Sequence, residues 1–438
     1  MKTALLYALS LAALASYAPA QAPAGPLTLN QAIQGVLARY PSIAAAQDAV
    51  DAASARAVEA NASRLPQVSA QGGYSYNSLR PYVAIAIPGL PAGSIYENVT
   101  NSYATTVTAR QLLTDFGRTD KLVDMARSGR IAAQDALEGV RHQLGYQMIG
   151  SFYGTLLLRR SADVAREEID ALNEALRISQ RKFAAGSATR FDVLTTQVRL
   201  ANAQNHLTDT LSQGEKEENG LRQLLGLSPS DPVNIRGELD ASAAAIEESA
   251  AIADGLANRP EMRVAQDDAA TAKLRLDAAN RGDRPRLDAQ VTGGVENGVM
   301  PSLYDNKGFV MAGLSLEVPL FTGRRTQGAR LEAGAGVRTA EARERELAQS
   351  ITTEVADAYS DLRAARARLS NSDTLVDQAN EALALAKTRY TNGVITNFEL
   401  LDAQSAFRAA ELGRLQARYD CILARQAVAR AAGVAPQQ

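Results

Sequence analysis

The chain has 438 residues and a formal net charge of −2, so it carries no basic excess for nucleic acid. A single cysteine, Cys421, excludes an intramolecular disulfide, and with two histidines, His142 and His206, it cannot build a common zinc site. Six scattered methionines make no soft-metal relay, so neither a metal nor a cofactor is expected.

Lys2 gives a short basic start, Ala4 to Ala15 is apolar, and Ala18-Pro19-Ala20 is a small-x-small cleavage site. Residues 1–22 therefore read as a secretory signal peptide cut after Ala20 or Ala22. Its apolar run is too short to span a bilayer, and no later apolar segment reaches ~18 residues.

Thr28 to Arg39 reads as a short amphipathic helix ended by Tyr40-Pro41, because the residue before a proline resists the helical region. An alanine-rich helix follows from Ser42 to about Arg64, and Leu65-Pro66 stops it. The period then changes from 3.6 to 2. Val68, Ala70, Gly72, Tyr74 and Tyr76 alternate with Gln67, Ser69, Gln71, Gly73 and Ser75, the pattern of a strand with one apolar face. Residues 79–100, with Pro81, Pro88 and Pro91, read as a loop. A second strand follows, with Tyr103, Thr105, Val107 and Ala109 on one face. Arg118 to Phe183 reads as one helix of ~99 Å, and Phe191 to about Leu225 returns antiparallel to it. Helices of this length indicate a coiled-coil-like tube or stalk.

The plan then repeats. Gly186 and Gly393, Leu113 and Leu320, and Gly226 and Gly433 are all separated by 207 residues, whereas Pro41 and Pro260, and Pro66 and Pro285, are separated by 219. The first half therefore carries an insertion between residues 71 and 113. The sequence divides into a first repeat, 23–227, with a hairpin at about 67–113 and a helical tip near 186. A linker, 228–257, is expected to pack outside the long helices. A second repeat, 258–438, has a hairpin at about 286–320 and a tip near 393.

The two tips are the most similar stretches. Phe183, Gly186, Thr189, Phe191, Asp192, Leu194 and Gln197 match Tyr390, Gly393, Thr396, Phe398, Glu399, Leu401 and Gln404. Each glycine follows a basic last turn and reads as a helix stop. Thr189 with Asp192, and Thr396 with Glu399, have the spacing of a capping box that starts the next helix.

Four strands with one apolar and one polar face suit a lipid-facing barrel with a wet lumen or a sheet covered by a helix. The signal peptide and the isolation of the hairpins between very long helices favour the barrel. Four strands cannot close one, and open edges are not tolerated in lipid, so several chains must contribute. An enzyme is disfavoured by the lack of a nucleophile with a base, a metal cluster or a phosphate loop, and no catalytic residue is expected. A secreted coiled-coil adhesin or other structural protein is the alternative. It explains the helices but not the paired hairpins.

The Leu65-Pro66 and Arg284-Pro285 junctions, Leu112-Leu113-Thr114-Asp115-Phe116-Gly117-Arg118, Val318-Pro319-Leu320-Phe321-Thr322-Gly323-Arg324 and the two glycine tips together resemble the TolC family of outer membrane factors over essentially the whole mature chain. The resemblance implies a mainly α fold with a small β part. That fold is a homotrimeric 12-stranded outer-membrane β-barrel continued by a long periplasmic α-helical barrel. The implied function is a passive exit duct in the cell outer membrane, serving a tripartite efflux pump or a type I secretion system. Its implied partners are outer membrane lipid, a periplasmic adaptor (membrane fusion) protein and an inner-membrane pump of RND, ABC or MFS type.

The resemblance also assigns the tips. Asp402, Glu399, Asp192 and Tyr390 become the pore gate, and Phe183, Gly186, Gly393, Thr189 and Thr396 become the adaptor-contact tips. Asp192 is the expected partner of Tyr390. An arginine found in that family two residues after the glycine is Ile395 here, so the closed state must be held differently. Capping explains Asp192 and Glu399, which leaves Asp402 as the sharper gate candidate.

Overall fold

The computed structural model describes residues 25–79, 82–89, 91, 93–96, 99–241, 247–299 and 302–436; the expected signal peptide, 1–22, lies outside them. In chain order the elements are α1 (Leu29–Arg39), α2 (Pro41–Ala62), β1 (Gln67–Tyr76), β2 (Tyr82–Ile85), β3 (Gly93–Tyr96), β4 (Asn101–Thr114), α3 (Arg118–Ala184) and α4 (Arg190–Leu225). The second half follows with α5 (Glu248–Asn258), α6 (Pro260–Asn280), β5 (Arg286–Glu296), β6 (Lys307–Glu317), α7 (Arg325–Thr391) and α8 (Asn397–Ala431). Two compact units form, and each draws on both halves of the sequence.

The unit built from Asp48–Asp135 and Val264–Glu346 holds an antiparallel sheet of order β1-β4-β5-β6. Its register explains the alternation in the sequence. Val68 pairs with Ala109, Ala109 with Val291, and Val291 with Ala312, while Tyr74 pairs with Tyr103. Because side chains alternate with period 2, every pair in register shares a face. One face therefore carries Val68, Val107, Val291, Val295, Val310 and Leu314, and the other Gln67, Arg110, Gln290 and Thr292. The apolar face is not covered: Val310 is 81% and Leu314 71% exposed. A helix-covered sheet would bury these side chains, so that reading fails.

Residues 79–100 are not loop throughout. Tyr82 pairs with Tyr96 and Ile85 with Gly93, forming the small hairpin β2–β3. Prolines and glycines around these two tetrapeptides hide their β-branched and aromatic residues in a single-sequence reading. The extra residues of the first half thus contain a hairpin. Strand β4 runs on to Thr114, past a register shift between Leu112 and Thr114, one residue beyond the hairpin bound of about 113.

The second unit, Met1–Gln47, Ala136–Arg263 and Leu347–Gln438, is helical. Its two main cores mirror the duplication. Leu144, Met148, Phe152 and Leu221 are buried with Ile33 and Val36 of α1. At the equivalent positions Ile351, Val355, Tyr359 and Val428 are buried with Ala251 of α5. The linker helix α5 therefore packs on the long helices as α1 does. Phe152 is 1% exposed, and its truncation to alanine is expected to cost ~3–5 kcal/mol. Helices α3 and α7 have 67 residues each, about 100 Å at 1.5 Å per residue. Among the described residues no helix is long and apolar enough to cross a membrane.

Candidate functional site

The tips of α3–α4 and α7–α8 are built by the same local bonds. Gly186 and Gly393 have φ of 73° and 76°, the left-handed region that only glycine enters freely. The Ser187 amide reaches back to the Lys182 carbonyl at 2.8 Å, and the Val394 amide to the Arg389 carbonyl at 2.9 Å, which satisfies otherwise free helix-end carbonyls. Both following helices start with a complete capping box. The Asp192 carboxylate accepts from the Thr189 amide at 2.9 Å and hydroxyl at 2.7 Å. The Glu399 carboxylate accepts from the Thr396 amide at 2.7 Å and hydroxyl at 2.8 Å. The Thr396 amide and then its hydroxyl hold the Glu399 carboxyl below the usual carboxylate range.

Asp402 differs from both. It is exposed, next to the fully buried Leu401, and makes no hydrogen bond or ion pair among the described residues. Tyr390 does not take Asp192 as its partner, since Asp192 turns back into its own cap. Lys182 instead places its ammonium 3.8 Å from the centroid of the Tyr390 ring, a cation–π contact between α3 and α7. Phe183, Phe191, Val394 and Phe398 leave apolar surface exposed around the two turns.

Three residues without an assigned role in the sequence tie α4 to α8. The Asn397 amide donates to the Thr196 hydroxyl at 3.1 Å, and both side chains are buried. The Thr196 hydroxyl donates in turn to the Asp192 carbonyl at 2.8 Å. Arg199 donates to the Leu401 carbonyl at 3.1 Å and the Ser405 hydroxyl at 2.7 Å, with its guanidinium 5.5 Å from the Phe398 ring centroid. Beneath them Leu172, Ala175, Ala203 and Leu401 form a small apolar cluster. The signal in the sequence is a break in the repeat: Thr196, Arg199 and Asn397 face Ala403, Ala406 and Arg190 at the equivalent positions.

The model of the outer membrane efflux protein family matches residues 32–227 and 251–434. The chain belongs to this family.

Among the relatives of this outer membrane efflux protein is the protein CyaE of Bordetella pertussis, 28% identical over 393 residues, which span 88% of this chain and 79% of that one. The alkaline protease secretion protein AprF of Pseudomonas aeruginosa is 24% identical, over 80% of this chain and 74% of its own. The cobalt-zinc-cadmium resistance protein CzcC of Cupriavidus metallidurans is 24% identical, over 89% and 86%. In fold the chain is similar to the crystal structure of CusC, with a TM-score of 0.79 at 17% identity over 95% of this chain and 99% of the other. It is also similar to the outer membrane protein VceC of Vibrio cholerae, with a TM-score of 0.77 at 20% identity over 93% and 97%. Outer membrane efflux proteins are channel proteins, not enzymes. They lie in the outer membrane with a large periplasmic part and work with adaptor and inner-membrane pump partners. The uncovered apolar face of the sheet is what such a location requires.

Proposed function

We propose that three copies of this chain form a passive exit duct whose periplasmic end is gated by the tips. One observation carries the reading: the four strands line up Val68, Val107, Val291, Val295, Val310 and Leu314 on one face, and among the described residues nothing covers that face. Hydrocarbon is the environment in which such a face is stable, but lipid does not tolerate the open edges of β1 and β6. The four strands alternate in direction, so β1 of a second copy continues the antiparallel pattern beside β6. Three copies supply twelve strands, an even number within the range of outer-membrane barrels.

At the tips, Asp402 is the carboxylate left free to face the passage. With Glu399 held by its cap, three copies present a ring of Asp402 side chains that favours cations. The exposed Phe183, Phe191, Val394 and Phe398 give an adaptor an apolar surface around the turns set by Gly186, Thr189, Gly393 and Thr396. The inner-membrane pump is of RND, ABC or MFS type, and the duct performs no catalytic step of its own. The native mass of the purified protein tests the assembly: a mass of three chains is expected, and a monomer at micromolar concentration overturns it.

A further inference from the structure

Both strand-to-helix junctions leave the sheet at the same end. Thr114 of β4 is in register with Leu287 of β5, and Leu287 with Leu316 of β6, so the junctions start two strands, about 10 Å, apart. Each junction turns through two successive residues of positive φ, Phe116 (55°) and Gly117 (84°) in one and Gly323 (58°) and Arg324 (68°) in the other. Phe116 and Arg324 thus hold a conformation that side chains rarely adopt, and both are exposed.

Four acids around these turns are already engaged, while Glu317 is exposed and makes no hydrogen bond or ion pair among the described residues. Asp120 pairs with Arg64 at 2.5 Å, Asp283 with Arg330 at 2.6 Å and Asp288 with Arg286 at 2.8 Å. Asp115 accepts from the Thr119 amide and hydroxyl, and Glu317 sits opposite Arg286 in the sheet. Arg284 donates to the Phe116 carbonyl at 3.3 Å. Arg118, Arg324 and Arg325 remain exposed, with no hydrogen bond or ion pair among the described residues. Beside them the apolar surface is unusually open: Leu320 is 92% and Phe321 89% exposed, and Leu113, Phe116 and Val318 are exposed as well.

We propose that this collar binds an anionic phospholipid of the periplasmic leaflet. Its phosphate is held by Arg118, Arg324 and Arg325, and Phe116, Leu320 and Phe321 lie at the acyl boundary. The proposal rests on the outer-membrane location. The long helices begin at this end of the sheet, which makes it the periplasmic end. The apolar face of β6, Val310 to Leu316, runs directly into Val318 and Leu320, so the collar continues the lipid-facing surface. Three unpaired guanidinium groups complement a phosphodiester, which their planar donor forks bind in bidentate fashion.

Native mass spectrometry of the full-length protein, purified from outer membranes in a neutral detergent, tests this. Phosphatidylglycerol is expected to be retained about tenfold better than phosphatidylcholine of the same acyl chains, because basic residues at a membrane surface favour anionic lipid. The variant R118Q/R324Q/R325Q is expected to lose that preference, and R118K/R324K/R325K to keep most of it. Equal retention of the two lipids, or an unchanged preference in the glutamine variant, overturns the proposal. So does displacement of the lipid by millimolar inorganic phosphate, or stronger binding of lipopolysaccharide. The protein is already taken from the outer membrane, so failure here leaves that location untouched.

Discussion

Arg199 is the residue whose loss should change the tip most. Arg199→Met keeps the aliphatic stem but removes two hydrogen bonds to α8, at 3.1 and 2.7 Å, and the contact with the Phe398 ring. Hydrogen bonds from a charged group contribute ~1.5–3 kcal/mol each when buried, and half-exposure discounts this pair below that range, to roughly 2 kcal/mol in total. Asn397→Ala adds the loss of one buried neutral bond, about 1 kcal/mol. Together the double variant should weaken the α4–α8 junction by about 3 kcal/mol per chain, roughly a hundredfold in the ratio of joined to separated hairpins. Single-channel recording in a planar bilayer reads this as a larger resting conductance or open probability. Thermal unfolding of the same sample controls for global damage, since the main apolar cores do not include these residues. A correctly assembled double variant with the conductance of the unmodified protein refutes the reasoning.

Gly393→Ala forces a side chain into the left-handed region at φ 76° and should cost ~1–2 kcal/mol, read by thermal unfolding or by faster amide exchange at residues 388–400. The carboxyl of Glu399 is depressed by its cap, so its contribution to the start of α8 is fully present above the ordinary glutamate value. It is lost as pH falls through the folded value, so amide exchange at the start of α8 should rise below about pH 4, and Glu399→Gln should flatten that dependence. Leu314→Arg puts a charge on the exposed apolar face of β6 and should destabilise membrane assembly by ~2–4 kcal/mol if it lies near the bilayer midplane, read as loss of protein from outer-membrane fractions.

The features legible in the sequence are the local ones. Glycine stops at 186 and 393 and threonine–acid boxes at 189 and 396 involve residues within a few positions of each other, so spacing alone locates them. The four long strands announce their faces by alternation, and the duplication supplies each one with a second reading. What spacing cannot show is a contact between helices far apart in sequence. Asn397 with Thr196 and Arg199 with Ser405 are separated by 201 and 206 residues, and each looks like an ordinary polar residue in its own helix. Tyr390 illustrates the same limit. Asp192 is near it in the plan of the tip, but the cap claims that carboxylate and Lys182 takes the ring. The β2–β3 hairpin escaped for a different reason: four-residue strands flanked by proline and glycine carry too little periodicity to register.

The reversal potential of the purified protein in a planar bilayer under a salt gradient tests most directly whether the chain is a duct closed by acids at its tip. Discrete channels with a cation-selective potential are expected, and Asp402→Ala should move that potential toward zero without abolishing the channels. An absence of discrete currents, or the same potential in the protein and in Asp402→Ala, would contradict the account.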